Sequence, residues 1–217
     1  SQKYDCFANL ELLNCNPEKR STFRDIKNVI GNYDRFSNKS IFNNLLNFLD
    51  NFWERKVLTK QEEKNFKESC SRFYKDKTYK RVELYLSRYS DQDTKESING
   101  EQIETVKELL GRINWEILTN GISSRIHGDL HFENILMAET GEFCLLDWRE
   151  NFGGIKEYGD LYYDLAKLNH GFIISHELIN KEYYFLSKED DIIKFDFYRK
   201  NTLVEIQNQF YQYLENN

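Results

Sequence analysis

A run of residues at 125–136, Arg-Ile-His-Gly-Asp-Leu-His-Phe-Glu-Asn-Ile-Leu, constrains the structure of this chain more than any other feature. Three strand-like runs surround it, at 124–126, 134–137 and 143–146. The residues at 139–141 form a turn between the last two runs. A hairpin of these two runs would bring Asn134 and Asp147 together at its open end, with Asp129 in the loop before it.

The side chains at this predicted site suit phosphoryl transfer. Asp129 lies five residues before Asn134, and Asp147 follows thirteen residues later at the end of a short apolar run. An attacking hydroxyl must lose its proton as the new bond forms, so a carboxylate such as Asp129 is needed beside it. Mg²⁺ prefers hard oxygen ligands and binds through one or two protein groups, phosphates and water. We therefore predict the Asn134 amide oxygen and the Asp147 carboxylate as its ligands.

The pattern resembles the aminoglycoside phosphotransferase and choline kinase family, small-molecule kinases with a protein-kinase-like fold. The matching residues are His127-Gly128-Asp129, Asn134, the strand end Leu145-Leu146-Asp147 and the run Gly-Asp-Leu-Tyr-Tyr-Asp-Leu-Ala at 159–166. The resemblance implies that Asp129 is the catalytic base and that Asn134 and Asp147 hold Mg²⁺. It also implies that ATP or GTP is the phosphate donor, with His131 near the phosphates.

Further roles follow from the same resemblance. His127 would support the catalytic loop, Asp160 would open a helix packed beneath it, and Asp164 would bond to backbone there. The acceptor would be a small molecule with a hydroxyl group, such as a sugar, an amino sugar, an aminoglycoside or a choline-like alcohol. It would bind in a cleft beside the loop, where four charged residues are candidate contacts: Glu133, Arg149, Glu150 and Glu157.

The chain departs from this family in one respect. A complete kinase of this kind has an N-terminal lobe with a glycine-containing loop over the phosphates and a lysine held by a glutamate. The chain has 10 glycines but neither a Gly-x-Gly-x-x-Gly nor a Gly-x-x-x-x-Gly-Lys motif, on which backbone phosphate cradles depend. We expect an α+β, mainly helical, protein-kinase-like C-terminal lobe at 17–217, preceded by a hinge-like segment at 1–16. The N-terminal lobe, or a fused domain, would lie upstream in a longer protein.

Apolar periodicity predicts the helices of this single domain. They are expected from Ser40 to Trp53, at about 61–73, at 79–89, at 103–117, at 160–170 and at about 190–214. Residues 90–100 are polar and predict a mobile connector.

Composition excludes some classes of partner. The formal net charge is −6, whereas nucleic-acid binding needs a basic face. No apolar run approaches the length of a membrane span, and there is no signal-peptide pattern. The four cysteines are widely spaced without a C-x-x-C pair, which favours reduced thiols and a cytoplasmic location.

Three alternatives remain at this stage. His127 and His131 around Asp129 suggest a zinc hydrolase, but zinc needs a further ligand and only His170 and His176 remain. The same polar residues are also compatible with purely structural roles in turns and at a helix N-cap. The third alternative is a non-catalytic, pseudokinase-like lobe that binds a ligand or regulates an adjoining enzyme domain.

Overall fold

The computed structural model describes residues 23–26, 29–30, 35–89 and 93–217. The predicted hinge at 1–16 lies outside these residues. The chain forms a mixed α+β structure with two compact units. Of the residues that the structure describes, the first unit contains those up to Phe66, Gly121–Ile174 and Arg199–Asn217, and the second contains those of 67–120 and Ser175–Tyr198. The proposed boundaries of one domain at 17–217 stay a prediction.

The longer helices match the predicted periodicity, and the first begins at Arg35, ahead of the predicted Ser40. In chain order the helices are α1 (Arg35–Phe52), α2 (Lys60–Ser71), α3 (Lys77–Tyr89), α4 (Val106–Arg112), α5 (Trp115–Thr119), α6 (Leu161–Ile173), α7 (His176–Asn180) and α8 (Asn201–Asn216). A π-helical turn, Arg72–Asp76, joins α2 to α3, and Phe132–Asn134 forms a 3₁₀ turn. The strands are β1 (Phe23–Asp25), β2 (Glu96–Ile98), β3 (Glu101–Ile103), β4 (Ser123–Ser124), β5 (Ile135–Ala138), β6 (Phe143–Leu145), β7 (Gly159–Asp160), β8 (Tyr184–Glu189) and β9 (Ile192–Phe197).

The first unit is built around one apolar core. Helices α1, α6 and α8 supply most of it, and the aromatic ring of Phe172 makes edge contacts with Phe42 and Phe132 at centroid distances of 5.5 and 4.9 Å. Phe210 of α8 packs on the same ring at 5.5 Å. Each of these four side chains is almost fully buried, and burying a phenylalanine contributes about 1.5–3 kcal/mol. This core is the support on which the loop at 125–134 rests.

Strands β5 and β6 form the antiparallel pair that the sequence predicts, with β1 on the other side of β5. Ile135 pairs with Leu145, and the Leu146 N–H donates to the Asn134 carbonyl at 2.9 Å. Gly141 completes the connecting turn with a φ of +89°. Asn134 therefore lies across from Leu146, and Asp147 is the next residue at the open end of the pair.

The second unit differs from the prediction. The single helix expected at 103–117 is replaced by the end of β3 and two short helices. The Thr105 side chain caps α4 in a reciprocal pair with Glu108, and the Asn114 side chain caps α5 by accepting from two backbone N–H groups. Such caps end one helix and begin another within a continuous apolar pattern.

Two other predictions are partly wrong: the helix expected at about 190–214, over its first part, and the mobile connector expected at 90–100. Residues of β8 and β9 form a six-residue antiparallel ladder, and α8 begins only at Asn201. Strand β9 reads Ile-Ile-Lys-Phe-Asp-Phe, and β-branched and aromatic residues favour a strand. Strand β2, within the predicted connector, pairs with β3 and β9.

Two further findings bear on the sequence expectations. Among the residues that the structure describes, no helix combines the length and the apolar character that crossing a membrane requires. Cys144 on β6 is a disulfide cysteine, so the expectation that all four cysteines are reduced is wrong for this residue.

Candidate active site

The loop before β5 is held from below by one carboxylate. Asp164 on α6 is fully buried and accepts the backbone N–H groups of His127 and Gly128, each at 2.7 Å, one on each oxygen. The indole N–H of Trp53, at the end of α1, donates to the same carboxylate at 3.1 Å. Burial raises the pKa of Asp164 to about 6 against the opposing effect of these bonds. At neutral pH the carboxylate is thus mainly ionised and fixes the start of the loop.

The helix that carries Asp164 is itself anchored at its first residue. Asp160 is buried and caps α6 by accepting the Tyr162 N–H at 3.1 Å and the Ile122 N–H at 2.9 Å. Gly121 lies against this carboxylate, where a Cβ atom would come within 2.4 Å of the Asp160 Cγ. The cap therefore ties α6 to the segment that leads into the loop.

Gly128 takes a backbone conformation that most residues avoid. Its φ is +81°, and a Cβ atom at this position would lie 2.5 Å from the Cβ of Arg149. The guanidinium Nε of Arg149 donates to the Gly128 carbonyl at 2.8 Å, and its Nη2 reaches the Tyr163 hydroxyl at 3.4 Å. Arg149, predicted as an acceptor contact, thus lies against the loop backbone and supports it.

His127 connects the loop with the end of β6. Its Nε2 lies 2.6 Å from the Leu146 carbonyl, which can only accept, and its Nδ1 accepts the Asp129 N–H at 3.2 Å. Both bonds form only in the neutral ring with hydrogen on Nε2. Burial lowers the pKa of His127 to about 4, in agreement with a neutral ring. The Trp148 ring covers it at a centroid distance of 5.0 Å.

Asp129 lies two residues after His127, and its side chain is about one-third exposed. Lys167 on α6 places its Nζ 2.6 Å from Asp129 Oδ1, and His131 Nε2 lies 3.7 Å from Oδ2. Burial opposes ionisation, but the hydrogen bond and the charge of Lys167 outweigh it, so the pKa of Asp129 lies below its usual range. The side chain is therefore a carboxylate at neutral pH.

The sequence-based prediction did not include Lys167 among the site residues. Its position, one helical turn after Asp164, could have identified it, because side chains three residues apart lie on the same face of a helix. A residue one turn beyond the buried support of the loop is therefore expected near the loop itself.

Asn134 and Asp147 carry the two hard oxygen atoms that the sequence predicts as cation ligands. The Asn134 amide nitrogen donates to the Asp129 carbonyl at 2.9 Å, which leaves the amide oxygen for a cation. Asp147 is exposed and takes a left-handed backbone conformation, with a φ of +56°. Non-glycine residues in this conformation are uncommon and concentrate at functional sites. An amide and a carboxylate oxygen fit Mg²⁺, which takes most of its other ligands from phosphate and water.

The other predicted residues lie around this loop with different surroundings. The His131 side chain caps the 3₁₀ turn by accepting the Glu133 N–H at 3.3 Å, and the Glu133 residue is exposed. Glu150 is exposed. Glu157 forms an ion pair with Lys56 at 3.2 Å, near the surface. Roles for these acids in acceptor binding stay predictions.

A cluster of three or more His, Cys, Asp or Glu side chains placed to hold a metal is not found in the part of the chain that the structure describes. A Mg²⁺ site of one amide and one carboxylate does not require such a cluster. The loop thus presents an ionised carboxylate, Asp129, and two residues with oxygen atoms of the kind that a hard cation binds, Asn134 and Asp147.

Comparison with known proteins gives one match. Residues 66–181 match the model of a family described as the phosphotransferase enzyme family (APH). This match covers more than half of the chain and includes the loop, the β5–β6 pair and α6. No curated protein and no solved structure matches the chain.

Proposed function

The chain belongs to the phosphotransferase enzyme family, and from this premise we propose that it carries the catalytic site of a small-molecule kinase. The proposed reaction transfers the γ-phosphate of ATP or GTP to a hydroxyl group of a sugar, an amino sugar, an aminoglycoside or a choline-like alcohol. One observation carries the proposal. The Asn134 amide binds the backbone of Asp129, which brings a candidate proton acceptor and a candidate metal ligand into contact.

The proposed mechanism assigns one step to each group. Asp129 accepts the proton of the attacking hydroxyl, a role for which a carboxylate with a lowered pKa is already ionised. The Asn134 amide oxygen and the Asp147 carboxylate would hold Mg²⁺, with His131 close to the phosphates. When bound, Mg²⁺ offsets charge on the phosphates. His127, Asp160 and Asp164 keep these groups in place, as their hydrogen bonds support.

Other parts of the proposal rest on the sequence. A lobe that covers the phosphates, with glycines and a lysine, would be supplied elsewhere in the protein or by a fused domain, since the chain lacks those motifs. The acceptor is a small molecule, without a role for nucleic acid or a membrane. A kinase that consumes ATP or GTP draws on the nucleotide pool of the cytoplasm, and we place the protein there.

Calorimetric titration with Mg²⁺ and ATP or GTP tests the proposal in the natural full-length protein that carries this chain. We expect binding that requires Mg²⁺ and weakens at least about tenfold in Asp147→Ala, because a carboxylate ligand of the cation is lost. Asp129→Ala should keep nucleotide binding and lose turnover with any acceptor, because the proton acceptor is gone. Glu139→Gln, which removes an exposed acid from the turn between β5 and β6, serves as the matched control.

The outcomes separate the proposal from its alternative. Binding without turnover in an acceptor screen would favour the non-catalytic lobe. Normal turnover in Asp129→Ala would show that the base is assigned wrongly. Failure of both nucleotides to bind the full-length protein would contradict the kinase proposal as a whole.

A further inference from the structure

Helix α6 reaches the candidate active site through two of its side chains, one turn apart. Asp164 holds the loop backbone at His127 and Gly128. Lys167, next on the same face, holds the side chain of Asp129 through a 2.6 Å contact with Oδ1. The backbone just before the candidate base and the side chain of the base itself are thus held by the same helix.

We propose that Lys167 is a positioning residue for the phosphoryl transfer, which holds Asp129 by Oδ1 so that Oδ2 receives the proton of the acceptor hydroxyl. This inference rests on the proposed function. A carboxylate on a loop otherwise rotates about its side-chain bonds, and effective acid–base catalysis requires a heavy-atom distance of about 2.6–3.2 Å to the proton it takes. An ammonium group on one oxygen removes much of that freedom.

Two features distinguish this contact from an ordinary surface ion pair. The Lys167 side chain is 27% exposed and that of Asp129 is 34% exposed, so both groups are partly withdrawn from water. The two partners also lie far apart in the sequence, on a helix and a loop that Asp164 already joins.

The test compares Lys167→Met, which removes the charge at similar length, with Lys167→Arg, which keeps it. Lys156→Met, at an exposed lysine of the same unit, is the matched control. We expect Lys167→Met to lower kcat by about 10- to 100-fold with little change in nucleotide KM, because misplacement by about an ångström has this effect. Lys167→Arg should restore most of the rate, and Lys156→Met should match the wild type.

A double-mutant cycle with Asp129→Asn separates positioning from general stability. If Lys167 acts through Asp129, Lys167→Met should change the residual rate of Asp129→Asn by less than about twofold. In chemical unfolding the two substitutions should be non-additive by about two- to fivefold in the equilibrium constant, as for a partly exposed ion pair. This second measurement needs no acceptor.

Each result has a distinct meaning. A wild-type kcat in Lys167→Met, or an equal loss of rate with and without Asp129, would overturn the positioning role and leave the kinase proposal intact. Additive effects on unfolding would overturn the contact itself. A full-length wild-type protein with no turnover would contradict the proposed function, and the inference with it.

Discussion

Gly128→Ala is a sharp test of how the catalytic loop is packed. The residue has a φ of +81°, and the new Cβ atom would lie 2.5 Å from the Cβ of Arg149 and 3.0 Å from its Cδ. The first of these atoms is attached directly to the backbone, so a change of rotamer cannot move it away. Alanine at this position must therefore shift either the loop or the segment after β6.

The size of the effect follows from two contributions. The left-handed conformation costs alanine about 1–2 kcal/mol, and forcing a carbon atom into a filled position costs about 1–3 kcal/mol more. Alanine also restricts the unfolded chain, which returns about 0.4–1 kcal/mol. The free energy of unfolding should thus fall by about 2–4 kcal/mol.

Gly141→Ala is the matched control because it separates these contributions. Gly141 has a similar φ of +89°, but its Cβ would meet no atom within 4 Å. Urea denaturation should show a loss of about 1–2 kcal/mol or less for this variant, and a clearly larger loss for Gly128→Ala. Arg149→Gly added to Gly128→Ala should relieve part of the difference. Equal losses at the two glycines would refute the claim that Arg149 fills the space beside Gly128.

Three further predictions concern protonation and the metal site. Burial lowers the pKa of His127 to about 4 from an ordinary 6.5. The contribution of the neutral ring to stability is therefore present above pH 6.5 and is lost as the pH falls towards 4. When the urea midpoint is measured as a function of pH, His127→Gln should lack this loss. Burial raises the pKa of Asp164 to about 6 from 3.8. The stability linked to its protonation is therefore present below about pH 4 and is lost as the pH rises through 6. The urea midpoints of Asp164→Asn against pH should lack that fall, and an unchanged slope would contradict the assignment. Asp147→Gly should keep or slightly raise the melting temperature, because glycine accepts the φ of +56°, while calorimetry should show loss of Mg²⁺-dependent nucleotide binding.

The sequence predicted best the parts that local rules determine. The β5–β6 pair follows from two apolar runs with a glycine turn, and α1, α3 and α6 follow from regular apolar spacing. The contact of Asp164 with backbone was expected from the family pattern. The order of the two runs also predicted that Asn134 would lie across from the residue before Asp147, as the bond from the Leu146 N–H to the Asn134 carbonyl shows.

The errors have physical causes as well. Residues 103–117 keep a helical apolar pattern throughout, but Thr105 and Asn114 bind backbone N–H groups and divide the segment. Strand β9 pairs with β8 across a tight turn. The hydrogen bonds of this ladder stabilise the extended conformation, although the apolar spacing of the segment predicted a helix. The Lys167 contact joins residues 38 positions apart, and only the packing of α6 under the loop reveals it.

The neutral ring of His127 has a consequence for when the groups of the proposed reaction are brought together. The ring bridges the Leu146 carbonyl and the Asp129 N–H, and it thereby joins the loop to the end of β6. The spacing between the candidate proton acceptor, Asp129, and the candidate cation ligands is then set before any ligand arrives. A preset spacing would remove the assembly of these groups from the cycle of the proposed reaction.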